Sequence, residues 1–146
     1  PLDGYSYFNG DFVSISDAKL GKGWTIVDNW RPDNDYQKRF GFVDVPMLET
    51  ATAGSKLTLA FKGKAIGIYC VAGPMAGILE YSIDGKPFKR LDTYTHWSGY
   101  LYIPWVYMFE TELTDGAHRL TLRMSEDKNA VSLGHECQIR NFVVNL

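Results

Sequence analysis

Residues 55–91 read SKLTLAFKGKAIGIYCVAGPMAGILEYSIDGKPFKRL, and this stretch decides the fold. In KLTLAF, Leu57, Leu59 and Phe61 point one way while Thr58 and Ala60 point the other, the period-two alternation of a strand with one face on a core. After a short Lys62-Gly63-Lys64 turn, AIGIYCV repeats it, with Ile66, Ile68 and Cys70 on one face and Tyr69 and Val71 on the other. A reversal at Gly73-Pro74-Met75-Ala76-Gly77 leads into ILEYSI. Asp84-Gly85 closes the next hairpin, since that dipeptide readily takes the positive φ values of a type I′ turn. There is no room here for a helix. The stretch reads as the middle of an antiparallel β protein.

Upstream, DFVSIS suits a first short strand, and a turn around Gly21-Lys22-Gly23 leads into WTIVD. Residues 29–41 (NWRPDNDYQKRFG) read as a long polar loop carrying Trp30 and Tyr36. In VDVPMLET, Pro46 interrupts the pattern and assigns any strand there to a sheet edge. Downstream, DTYTHWSGYLYIP reads as a loop with a short strand at its end. WVYMFETEL alternates again, with Trp105, Tyr107 and Phe109 on one face and Val106 and Met108 on the other. Thr114-Asp115-Gly116 turns the chain into AHRLTLRM, residues 125–136 form another loop, and CQIRNFVVNL closes as a central strand. About eight to ten short strands with frequent turns predict an all-β, two-sheet antiparallel β-sandwich. Laying the C-terminal strand beside an early one would remove an exposed edge.

The 146 residues suit a single domain, 1–146. Because the chain opens at Pro1 without an initiator Met, it is expected to be processed or excised from a longer polypeptide; the missing signal peptide says nothing of location. A net charge of -2 gives no general attraction for nucleic acid or anionic membranes, and no run has the length of a membrane span. Cys70 and Cys137 match no metal spacing; two separate buried thiols are favoured over one inter-strand disulfide.

Catalytic patterns are weak. His118 beside the Asp115-Gly116 turn suits a packing role, and His96 lies near Asp92 and Ser98 only in sequence. No GxSxG elbow is present, and Ile139 stands where an HExxH helix starting at His135 would need histidine. The aromatic loops say more. Trp30 and Tyr36 share one polar loop, while Tyr94, Trp97, Tyr100 and Tyr102 crowd another beside Asp92 and His96. A sugar ring has apolar C–H faces and a fringe of hydroxyls, and aromatic plates among polar side chains match both. The competing reading is that these aromatics cover the open end of the sandwich. Trp30, Tyr36, Asp92, Tyr94, His96, Trp97 and Tyr100 are thus the candidate glycan-binding residues.

Residues 67–146 resemble the β-sandwich accessory domains of bacterial SGNH/GDSL-type carbohydrate esterases. The matching pieces are EYSIDG at Glu80–Gly85, the LTDGAHRLTLR string at Leu113–Arg123, and IRNFVVN at Ile139–Asn145. The resemblance implies a galactose-binding-like jelly roll, non-catalytic itself, from an exported polypeptide (secreted, periplasmic or envelope) acting on polysaccharide. Nothing matches a GDS nucleophile block, so a covalently linked hydrolase domain is expected outside this chain. Some domains of this kind bind structural calcium, but no EF-type string of acids marks a site, and no other cofactor is implied. Three readings follow: a glycan-binding module, a structural domain packed against its catalytic partner, and, least supported, an independent hydrolase using His96 or His135.

Overall fold

The computed structural model describes residues 10–30, 45–95 and 103–145. Among the described residues eleven strands lie in two sheets: β1 Gly10–Val13, β2 Lys19–Leu20, β3 Thr25–Val27, β4 Met47–Thr50, β5 Lys56–Lys62, β6 Ala65–Ala72, β7 Ile78–Ile83, β8 Lys89–Asp92, β9 Ile103–Glu110, β10 Ala117–Met124 and β11 Cys137–Asn145. One sheet runs β3-β4-β11-β6-β9, with β1 also paired to β11; the other runs β2-β5-β10-β7-β8. Every ladder between strands is antiparallel. Helix among the described residues is confined to one 3-10 turn, Ile15–Asp17. The two-sheet antiparallel sandwich is the architecture.

The alternation seen in the sequence is what builds the main core. Leu57, Leu59 and Phe61 of β5, Ile66, Ile68 and Cys70 of β6, and Leu120, Leu122 and Met124 of β10 all pack into it. Tyr69 and Val71 face the other way, where Val71 joins Trp30 and Met47 in a second, smaller core with Tyr69 packed against it. β11 lies centrally, paired to β6 along its length. Its other edge takes β4 at Cys137–Ile139 and β1 at Phe142–Asn145, so an early strand does cover the last one.

β4 corrects one expectation. It lies between β3 and β11 rather than at an edge. Pro46 precedes the first strand residue, Met47, so its missing N–H removes no ladder bond. The proline that does lie within a strand, Pro104, is in β9 at the sheet edge, where a lost donor is tolerated. Cys70 and Cys137 are free and buried, and burial pushes the Cys70 thiol up to about 12 and the Cys137 thiol well above its ordinary value. Neither is a nucleophile at neutral pH.

The two Asp-Gly turns differ. Asp84 (φ 55) and Gly85 (φ 77) are both left-handed, as a type I′ turn requires. At Asp115-Gly116 only Gly116 is so (φ 132). A Cβ there would meet nothing within 4 Å, which leaves backbone strain as the sole cost of a side chain. Gly116→Ala is expected to destabilise by about 1 kcal/mol, read as a shift in urea midpoint; an unchanged midpoint would mean the turn relaxes freely.

Candidate functional site

Strand alternation sorts the five-stranded sheet into an apolar inner face and a charged outer one. The register places Lys56 of β5 opposite Arg123 of β10, Arg123 opposite Glu80 of β7, and Glu80 opposite Arg90 of β8. These four form one row across the sheet. Glu80 is shared: Arg123 Nε donates to its Oε1 at 2.9 Å, and Arg90 Nε lies 3.5 Å from its Oε2. Arg90 Nη2 donates to Asp127 Oδ2 at 2.7 Å, tying the loop after β10 to the sheet. The Arg123 guanidinium stacks on Phe88, 3.7 Å from the ring centroid.

Asp92 stands two residues beyond Arg90, on the same face of β8. Its Oδ1 accepts the Tyr94 N–H at 3.0 Å and its Oδ2 accepts from Asn129 Nδ2 at 2.8 Å. The 125–136 loop is therefore pinned twice, by Arg90 and by Asp92. Between it and the row opens a cleft of about 450 Å³, lined by Gly54, Lys56, Glu80, Arg90, Arg123 and Asp127 among others. The same loop meets the 73–77 turn, where Leu133 N–H donates to Pro74 O at 2.9 Å and Ser132 Oγ to Ala76 O at 2.6 Å. Met75, Val131 and Leu133 expose apolar side chains there.

Of the residues expected to bind glycan, the structure brings Asp92 and Tyr94 together, with Tyr94 half-buried. Trp30 is elsewhere: at 5% exposure it is a wall of the small core with Met47 and Val71, on the outer face of the other sheet, and offers no open plate. The reason is that Tyr69 and Val71 make that outer face apolar, and an indole covers it. Tyr36, His96, Trp97, Tyr100 and Tyr102 lie outside the described residues. Trp105, by contrast, is 54% exposed at the start of edge strand β9. The sequence reading missed Lys56, Glu80, Phe88, Arg123 and Asp127. Alternation marks Glu80 and Arg123 as outward, but their convergence depends on pairings between strands 43 residues apart.

His118 and His135 both hold backbone. His135 Nε2 lies 3.0 Å from Glu126 O, and His118 bridges Asp84 and the Thr114 carbonyl, each at 2.6 Å. Among the described residues no three His, Cys, Asp or Glu side chains are grouped to hold a metal ion. What the outer face offers chemically is a fixed set of charged donors and acceptors in a groove, suited to hydrogen-bonding a polyhydroxylated or charged ligand.

These features define a jelly-roll-like β-sandwich with a polar groove on one sheet. No protein-family model and no curated protein sequence matches the chain. Solved structures do. A two-domain esterase active on acetylated mannans, co-crystallised with mannopentaose, is similar over 99% of this chain and 38% of its own, with a TM-score of 0.69 and 14% identity. An exo-beta-1,3-galactanase from Phanerochaete chrysosporium, with beta-1,3-galactotriose, is similar over 94% of this chain and 30% of its own (TM-score 0.61, 14% identity). A family two carbohydrate esterase from Cellvibrio japonicus is similar over 92% and 32% (TM-score 0.57, 12% identity). The likeness to the sandwich domains of carbohydrate esterases is thus met in the fold, and the chain spans only 30–38% of the length of those proteins.

Proposed function

We propose that this chain is a non-catalytic, carbohydrate-binding-like accessory module of an exported SGNH/GDSL-type esterase acting on polysaccharide. The observation that carries the reading is one of proportion: a fold spanning 99% of this chain accounts for only 38% of a two-domain mannan esterase. The polar groove lined by Lys56, Glu80, Arg90 and Arg123 supports it, as does the exposed indole of Trp105 on edge strand β9. Aromatic contact and hydrogen bonds to hydroxyls would hold the glycan near the linked hydrolase.

The experiment is a fluorescence titration with plant mannans, other polysaccharides and their oligosaccharides. Trp24 and Trp30 are buried at 3% and 5% exposure, so a glycan-dependent change reports on Trp97 or Trp105. A saturable signal that disappears in Trp97→Ala or Trp105→Ala, with the β spectrum unchanged, is the expected result. A second reading, a structural domain packed on its catalytic neighbour, draws on exposed Val131 (67%) and Leu133 (69%) beside Met75. It takes over if no glycan perturbs either tryptophan while Leu133→Asp releases the domain from the linked hydrolase.

A further inference from the structure

We propose that Lys56 and Arg123 form a seat for the carboxylate of an acidic sugar unit, so that the outer groove takes a uronate-bearing oligosaccharide. The proposal rests on the glycan-binding reading and gives it a place and a ligand class. Its first support is the register: Lys56 and Arg123 stand directly opposite on neighbouring strands, two like charges that Glu80 offsets only from the far side of Arg123, so an anion between them is favoured. Their row has acids elsewhere, but these are engaged. Both oxygens of Glu80 face the two arginines, and Asp127 holds Arg90.

Arg123 uses Nε on Glu80 and its flat face on Phe88. Among the described residues its terminal nitrogens, like the Lys56 ammonium, have no hydrogen-bond partner. The guanidinium is thereby held in one plane with its outer edge free, the edge that grips a carboxylate through two parallel N–H bonds. Glu126 on the cleft wall is the competing carboxylate and repels the same ligand.

Calorimetric titration of the chain with short oligogalacturonides and with neutral manno-oligosaccharides tests this. The acidic series should bind, with affinity falling as salt rises to about 200 mM, since the cations are solvent-screened. Lys56→Gln and Arg123→Gln should each weaken it about three- to tenfold, and Glu126→Gln should tighten it, with no effect of any of the three on neutral sugars. Among the described residues the Lys56 side chain has no hydrogen-bond partner, so Lys56→Gln should keep the fold even if Arg123→Gln does not. Oligogalacturonide binding unchanged in Lys56→Gln overturns the seat. Binding of neutral sugars alone also overturns it while leaving the accessory-module reading in place. Binding of neither overturns both.

Discussion

Phe142→Ala is expected to lower the unfolding free energy by about 3–5 kcal/mol. Among the described residues Phe142 is the largest side chain with no exposed surface, and it sits where β11 is paired on both edges, opposite Ile68 of β6 and Val13 of β1. Both neighbouring backbones are fixed by ladder hydrogen bonds, so the space left by the ring closes only in part. For a domain of ordinary stability, about 5–15 kcal/mol, this is a large fraction of the total. Phe12, on β1 opposite Val143, stacks on Tyr69 at 5.9 Å but is 59% exposed. Phe12→Ala should therefore cost well under half as much. Urea denaturation of both variants gives the comparison, and equal losses would mean that β11 is not the centre of the core.

That ranking was accessible from the sequence only in outline. Local alternation identified the inward residues of β5, β6 and β10, because a period of two is a property of the strand itself. Turn chemistry located the Asp84-Gly85 hairpin for the same local reason. Pro46 misled because its effect depends on whether it stands inside or just before β4, a matter of one residue. Trp30 misled because a polar run of neighbours says nothing about the apolar outer face of β6 that the indole covers. The charged row failed to register at all: Lys56, Glu80, Arg90 and Arg123 are scattered in sequence and meet only through the order β5-β10-β7-β8. Asp92 was legible as a polar group beside aromatics, yet its actual partner, Asn129, is 37 residues away.

The other large effect is expected at Asp84, which ties the β7–β8 turn to the start of β10. Its Oδ2 accepts from His118 Nδ1 at 2.6 Å and its Oδ1 from the Arg119 N–H at 2.8 Å. His118 Nε2 lies 2.6 Å from Thr114 O. A carboxylate and a carbonyl can only accept, so both ring nitrogens donate and the ring is an imidazolium. The hydrogen bond to Asp84, then that to Thr114, holds the His118 pKa above its ordinary value; His118 and the Arg119 amide hold the Asp84 carboxyl below its own. Asp84→Ala removes both acceptors, leaves an almost buried ring (7% exposed) without its counter-charge, and puts Ala at φ 55. The expected loss is about 2–3 kcal/mol. Asp84→Asn, which tolerates the left-handed backbone and keeps one acceptor oxygen, should cost about half that. The pH dependence has a definite sign. The raised His118 pKa gives stability present in full below about pH 6.5 and lost as pH rises through the folded value. The lowered Asp84 pKa gives stability present above about pH 3.9 and lost as pH falls through the folded value. The margin of the wild-type chain over Asp84→Asn is therefore widest between about pH 4 and 6.5 and narrows as pH rises through the raised His118 pKa. Because β8 leaves this turn to carry Arg90 and Asp92, the same variants should loosen the groove's edge. Thermal melts of both proteins across that range supply the test, and a margin that stays constant with pH would mean that His118 is neutral and the bridge uncharged.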